Sequence, residues 1–495
     1  MRRVHRRLGR IGILAALAAC LVAAGTARAQ TTLSATVSGT PTGTPMPSGF
    51  VGVSFETKGL HVYTGRDPGA VDPVLISLLR GLSPGQSPVI RIGGDSTDAT
   101  WWPMRGVIPP GGVTYRLTKN WLSTIHALAS QLRAKLILGV NLAAGRPALA
   151  AAEARAYMQD IGRRYIQALE IGNEPDLYGI FPWYRDRRGR VVFARGRGYS
   201  VDSYIQDFTR WRAALPKIAL VGPSFSALTW MSHLDQFLST ESSVRTATVH
   251  RYPLRGCISD PADPGFASIP NLLLDSSAAG IAQAVAPFVD VAHKHGLPFR
   301  VDEMNSASCS GKLGVSNTFA SALWVLDALF NLKAVGVDGV NVHTLPGAAY
   351  ELFTVNHSST GWSAVVHPEY YGMMLFAQAF PPGAQLLPVS APAGAVKLWA
   401  TDAGGRIRVV LINKDPVNAA TVQVRLPTAA GAAQLTRLSA ASLDATGGVS
   451  LGGETFGDST TTGVLGGTPS GETVNPLLGA YSVDLPPGSA AMLTR

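Results

Sequence analysis

Ile166-Gln167-Ala168-Leu169-Glu170-Ile171-Gly172-Asn173-Glu174-Pro175 is a short apolar run that ends in polar residues and then meets proline. Short, nearly continuous apolar runs suit strands of a parallel sheet covered on both faces. Seven more such runs lie at 50–56, 89–94, 135–142, 218–225, 246–253, 299–305 and 339–345, each followed by a helix-like stretch. Eight βα units in about 300 residues predict a closed (β/α)8 barrel, an α/β TIM-barrel fold. One helix is readable in detail. Phe319, Leu323, Leu326 and Phe330 keep a three- to four-residue rhythm, Ser316 is placed to cap it and Gly336 to end it.

Outside the eight runs the texture changes. After about residue 376, strand-like stretches at 396–399, 407–413, 421–426 and 481–485 alternate with Gly, Pro, Ser and Thr, and 447–471 is rich in Gly and Thr. This predicts a C-terminal β-sandwich over 376–495 behind a catalytic barrel over 47–375. Thr31, Leu33, Ala35 and Val37 alternate, so 30–46 is expected to supply a strand joining that sandwich. No repeat of 20–50 residues argues for a solenoid.

Residues 1–29 carry an export signature. Arg2, Arg3, Arg6, Arg7 and Arg10 precede the apolar stretch 11–24, and Ala27-Arg28-Ala29 fits a cleavage site. The stretch is too short and wrongly flanked for a membrane span. Leu17-Ala18-Ala19-Cys20 resembles a lipoprotein box, but the apolar run continues past Cys20. A secreted or periplasmic chain is expected. Removing the six Arg of this segment takes the formal charge from +10 to +4, which gives no argument for nucleic acid. Of three Cys, Cys257 and Cys309 then remain, an even pair in an oxidising compartment. A disulfide and two free thiols are both open at this point. No Cys/His spacing reads as a metal site.

Working groups of such a barrel sit at the C-terminal ends of its strands. Here those ends carry Glu56, then Arg91 to Asp95, Asn173-Glu174, His250-Arg251-Tyr252, Asp302-Glu303 and His343, in a chain that is only 15% charged. Glu174 and Glu303 close the fourth and seventh runs, which face each other across the mouth of a barrel. Paired carboxylates are the minimum for glycoside hydrolysis: one protonates the leaving oxygen, the other attacks the sugar or activates water. Tyr252 and Arg91 are candidates for keeping Glu303 ionised. The chemistry needs no cofactor and no metal.

Asn173-Glu174-Pro175 resembles the signature of the large clan of barrel glycosidases with the acid/base on strand four and the nucleophile on strand seven. The resemblance narrows with 299–306 (Phe-Arg-Val-Asp-Glu-Met-Asn-Ser) and 311–324, supported by 89–95, 169–178, 246–253 and 339–350. Together these stretches are similar to glycoside hydrolase family 79, the β-glucuronidases and heparanases, through most of 45–375. The resemblance implies a retaining enzyme with Glu174 as acid/base and Glu303 as nucleophile. It implies sugar contacts from Glu56, Asp95, Asn173, Tyr252, His343 and Tyr350, the last toward a uronate carboxylate. Where many bacterial members carry an aromatic residue five positions after the nucleophile, this chain has Ser308. Its hydroxyl, with the backbone N–H groups of 309–311, is expected to take that place. A Cys257–Cys309 pair would pin this loop to the one after strand six.

The implied substrate is a β-glucuronide, 4-O-methyl glucuronides included. The alternatives are an endo-glucuronidase on acidic glycosaminoglycan-like chains, a neutral-sugar β-glycosidase of the same clan, and a binding protein without activity. Arg185, Arg187, Arg188, Arg190, Arg195 and Arg197, after strand four, read either as a solvated surface loop or as a basic wall for an acidic chain.

Overall fold

The computed structural model describes residues 31–428 and 431–495; the stretch 1–29, expected to be an export signal, lies outside them. Eight parallel strands close into a barrel: Val51–Glu56, Val89–Gly93, Lys135–Val140, Ile166–Ile171, Leu220–Phe225, Val244–Arg251, Phe299–Met304 and Gly339–Thr344. They are the eight runs of the sequence, in chain order around the ring. The last pairs with the first in register, from Val340 opposite Val51 to Thr344 opposite Phe55. The strands are buried almost throughout, as expected when helices cover one face and packed side chains fill the other. Irregular registers fall between Val249 and His250 and between Val301 and Met304, beside the residues that end the sixth and seventh strands. Bulges of this kind re-aim side chains at barrel rims.

The helix Phe319–Ala334 runs as its rhythm predicted, and Gly336 follows it at φ 92°. Its cap differs from the expectation. Ser316 does not cap it; the Ser316 hydroxyl accepts the Lys312 N–H instead. Thr318 occupies the cap position, and the Phe319 and Ala320 N–H groups donate to the Ala445 and Leu443 carbonyls of the C-terminal domain. A local cap was unnecessary because another part of the chain supplies the acceptors. The same helix is apolar on nearly every side because it is sandwiched. Phe330 stacks on Trp399 at 5.4 Å, and its buried Asp327 pairs with Lys414 and accepts from the Trp399 indole.

The C-terminal part is a two-sheet sandwich. One sheet holds Val396–Ala403, Arg406–Asn413, Ser489–Thr494 and Ala433–Ser439; the other holds Ala420–Arg425 and Tyr481–Leu485. Thr31–Val37 enters this second sheet parallel to Ala420–Arg425, with Thr31 opposite Ala420. Ala35, Val409, Leu411, Val422, Tyr481 and Leu493 fill the space between the sheets. Much of 447–471 leaves the sandwich and lies on the barrel, where Thr460 bridges Ala364 and the Phe456 N–H donates to Tyr371. Among the described residues no helix is long and apolar enough to cross a membrane.

Candidate active site

Arg91, from the second barrel strand, is fully buried at the centre of the mouth. Its fork donates from Nε and Nη2 to both oxygens of Glu170 at 2.7 and 3.0 Å. Nη1 donates to Glu303 at 2.6 Å and to the Ser54 hydroxyl at 3.0 Å, and Nη2 also donates to the Asn173 side-chain Oδ1 at 2.8 Å. A planar guanidinium can hold these four partners in fixed directions at once, which an ammonium cannot. The other Glu303 oxygen accepts the Tyr252 hydroxyl at 2.8 Å. Both donors anticipated for Glu303 therefore reach it.

Glu174 sits opposite. Its backbone is left-handed, φ 46° and ψ 57°, at the start of the short turn Pro175–Leu177. Such a conformation costs a non-glycine residue about 1–2 kcal/mol and persists where the surroundings over-determine it. Gly172, two residues before, is also left-handed, and a Cβ there would press on the Tyr178 hydroxyl and Leu142. The turn swings the Glu174 carboxylate over the mouth, where it meets His250 Nδ1 at 3.0 Å. An oxygen of Glu174, one of Glu303 and His250 Nδ1 or Nε2 all lie within 4.8 Å of one another.

Burial charges these groups unequally. Burial opposes ionisation of Glu303, but His250, Arg91 and the Tyr252 hydroxyl hold its carboxyl well below the usual range. His343 lies 3.8 Å from it, yet burial pushes that imidazole down to about 4, so it is neutral at pH 7 and we assign the effect to the other three. Burial likewise opposes a charged His250, but Glu303, Glu170 and Glu174 raise it well above its ordinary value. Glu170 is held low despite burial, by Arg91 and His250. Glu174 is pushed up to about 7 by burial, with Glu303 and Asp95 adding to the rise against the pull of His250. Burial lifts Asp302 to about 7 and Glu56 to about 8, helped by Glu170 and Asp95 respectively. Two cations thus balance two carboxylates, and the remaining acids tend to keep their protons.

Around this pair the other expected contacts assemble unevenly. Glu56 accepts the N–H groups of Asp95 and Ser96 at 3.0 and 2.9 Å and the Ser96 hydroxyl. Gly94, at φ 72°, permits that approach, since a Cβ would collide with the Glu56 carboxylate. Asn173 donates to Asp95 at 2.9 Å. His343 bonds Ser54 at 3.0 Å and lies 3.9 Å from Glu56. Tyr350 is buried, its ring 6.3 Å from Tyr252 and 5.9 Å from His343. The Ser308 hydroxyl is different: its one hydrogen bond among the described residues is to Cys309 Sγ, at 4.0 Å, and the structure does not join it to the cluster.

Cys257 and Cys309 form a disulfide, Cα–Cα 5.7 Å. It links the loops after the sixth and seventh strands, which also pair through Leu254–Arg255 and Ala307–Ser308. Cys309, Ser310 and Gly311 are all left-handed. This turn abuts the Tyr350 wall, because the Ala349 N–H donates to the Ser310 carbonyl and a Cβ at Gly311 would lie 3.0 Å from the Tyr350 ring. A Cys257→Ser/Cys309→Ser variant is expected to lose up to about 4 kcal/mol of stability for the 52-residue separation. Below its lowered melting temperature, KM for a sugar substrate is expected to rise several-fold with kcat little changed. Unchanged melting and KM would show that the bridge holds nothing.

The Arg-rich segment separates into parts. Arg195 is not on a basic face: it donates to Asp207 at 2.9 Å and to the carbonyls of Leu142 and Ala143. Arg190 pairs with Asp186, while Arg185, Arg187, Arg188 and Arg197 are exposed. Sequence reasoning did not single out Glu170, Ser54, Asp98, or the contact of His250 with Glu174. Two sets of three groups could in principle ligate a cation, Glu170, His250 and Asp302, and Glu174, His250 and Glu303. Arg91 and a protonated His250 already supply the positive charge there, so the donor set does not favour a metal.

Residues 398–492 match the glycosyl hydrolase family 79 C-terminal beta domain. The C-terminal domain is thus of the family 79 type. A β-glucuronidase of Aspergillus niger is 24% identical over 253 residues, 46% of this chain and 43% of that protein, so the alignment spans less than half of that relative. A 4-O-α-L-rhamnosyl-β-D-glucuronidase from Fusarium oxysporum 12S, solved with Rha-GlcA, superposes with a TM-score of 0.71 at 20% identity, covering 94% of this chain and all of that one. A family 51 arabinofuranosidase from Xanthomonas axonopodis pv. citri superposes at 0.69 and 16% identity, over 94% of this chain and all of its own. These two likenesses bear on the fold. The closed barrel and the C-terminal β domain expected from the sequence are therefore both present.

Proposed function

We propose that the chain is an exported retaining β-glucuronidase that works by double displacement, Glu303 attacking the anomeric carbon and Glu174 serving as acid and then base. The observation that carries this reading is the carboxylate spacing: oxygens of Glu174 and Glu303 within 4.8 Å of each other. Direct attack by a carboxylate needs groups about 5–5.5 Å apart, whereas placing a water between them needs about 6.5–9.5 Å. The charge states fit the same division, an ionised nucleophile beside a carboxyl that still holds its proton near neutrality.

In the first step Glu303, held by Arg91 and Tyr252, forms the bond to carbon while the Glu174 proton passes to the leaving oxygen. Glu174, now a carboxylate beside His250, then takes a proton from the water that releases the sugar. Asn173 is the partner for the sugar 2-hydroxyl, and Glu56, Asp95 and His343 are further sugar contacts. Tyr350 and the N–H groups of Cys309 and Ser310 are the receptor for the uronate carboxylate, and all of them are neutral donors. The family and the printed activities of the Aspergillus and Fusarium relatives support glucuronide over neutral sugar. Turnover of p-nitrophenyl β-D-glucuronide beside the matching glucoside tests the substrate. Selective cleavage of the glucuronide supports it, and glucoside activity alone discards it.

A pH profile follows from Glu174. Its proton is needed in the first step, so kcat/KM on an unactivated glucuronide is expected to fall tenfold per pH unit above about 7. Glu174→Gln should abolish that limb. A rate that stays level to pH 9 would deny Glu174 the role.

A further inference from the structure

The mechanism requires Glu174 to hold an unfavourable left-handed backbone with its carboxyl aimed at Glu303, and nothing in the residues that touch a sugar explains what holds it. The groups that do lie one layer behind. Asp98, in the short helix Asp95–Ala99 after the second barrel strand, is buried. One of its carboxylate oxygens accepts the N–H groups of Leu142 and Ala143, at 2.9 and 3.0 Å, from the loop after the third strand. The other accepts the Asn173 N–H at 3.1 Å and the Tyr178 hydroxyl. The Asp98 carbonyl accepts the Asn141 amide at 2.9 Å and the Trp183 indole at 3.2 Å.

We propose that Asp98 is the positioning residue for Glu174: its carboxylate grips the chain at Asn173 and at Tyr178, on both sides of the left-handed residue, and ties it to the loop after the third strand. Asn173 lies between two left-handed residues, Gly172 and Glu174, so its N–H direction fixes where the Glu174 side chain starts. Among the described residues, the Asn173 N–H and the Tyr178 hydroxyl both go to this one Asp98 oxygen. With Asp98→Asn, a side-chain N–H would face one of these donor pairs, and the hydrogen bonds to it would be lost with little change in volume. The acid would then be misaimed while Glu303 stayed in place, because it is held by Tyr252 and by an Arg91 that Glu170 anchors. Misplacement of a reacting group by about 1 Å can cost about a hundredfold.

This inference rests on Glu174 being the acid/base, and the test separates the two. Phenyl β-D-glucuronide needs a proton on its leaving oxygen; 2,4-dinitrophenyl β-D-glucuronide does not. In the wild type both are cleaved, and Glu174→Gln is the control that loses phenyl glucuronide far more than the dinitrophenyl compound in the glycosylation step, read as kcat/KM. Asp98→Asn is expected to lower kcat/KM for phenyl glucuronide about a hundredfold and for the dinitrophenyl compound less than about fivefold. Tyr178→Phe, which removes a single donor and leaves the ring in the core, should shift the same ratio in the same direction by less. A role confined to folding would lower both substrates by one common factor, that of the folded fraction. Equal losses on the two substrates in both variants overturn the assignment of Asp98. A Glu174→Gln control with no dependence on the leaving group, or a wild type inactive on both, overturns the reading of Glu174 and this inference with it.

Discussion

Glu303→Gln is expected to abolish glucuronide turnover, lowering kcat by at least about 10³-fold, or about 4 kcal/mol of barrier, without unfolding the chain. The amide is nearly isosteric, so the contacts with Tyr252 and Arg91 can be kept in part. What is lost is the negative charge that attacks carbon. The change should also be visible next door. Glu303 is among the groups that raise Glu174 and is the leading charge that raises His250, so both should titrate lower in the variant. A drop of less than tenfold with an unchanged pH profile would mean that the attacking group lies elsewhere.

Arg91→Met should be the most damaging single change to stability at the site. Arg91 is the shared partner of Glu170 and Glu303, one fully buried and the other nearly so. Removing one side of a buried ion pair leaves the other uncompensated and typically costs about 3–5 kcal/mol. Either the fold loses that much or the stranded carboxyls take up protons, and a protonated Glu303 cannot attack. Thermal melting and kcat are therefore both expected to fall, melting more steeply toward high pH, where protonation is no longer available as relief. Arg91→Lys keeps the charge but cannot span Glu170, Asn173 and Glu303 together, so it should fold better than Arg91→Met and still lose about a hundredfold in kcat. A variant that melts like the wild type at pH 8 would contradict this account of the mouth.

The barrel was legible because its strands are buried on both sides. Apolar runs such as 135–142 and 339–345 leave a trace in sequence that survives without tertiary information, and their polar ends mark the mouth. The N-terminal strand was legible for the opposite reason, a two-residue alternation at Thr31, Leu33, Ala35 and Val37. Its parallel pairing with Ala420–Arg425 obeys a pattern visible at both partners. The strands Ala433–Ser439 and Ser489–Thr494 were missed: the first is interrupted by polar residues and the second is mostly small ones, so neither stands out from its Gly- and Ser-rich surroundings.

The site was legible in its carboxylates and not in their supports. Glu174 and Glu303 stand at strand ends, where a charge is conspicuous. Glu170 lies inside the same run four residues earlier. A charged residue within an otherwise apolar buried strand was a usable signal that it must have a partner, and Arg91 is that partner. The contact of His250 with Glu174, and the four bonds to Asp98, join residues 76, 44, 45, 75 and 80 positions apart. Nothing local in a sequence encodes which of several strand-end groups will meet across a barrel. The cap of the helix Phe319–Ala334 failed for the same reason, its acceptors lying more than a hundred residues away at Leu443 and Ala445.

The central claim is that Glu303 and Glu174 cleave a β-glucuronide in two displacements. Proton NMR of the first glucuronic acid released from p-nitrophenyl β-D-glucuronide, recorded before mutarotation, tests it directly. The account predicts that the β anomer appears first and the α anomer grows in later. The α anomer appearing first would mean a single displacement through water, and would contradict it.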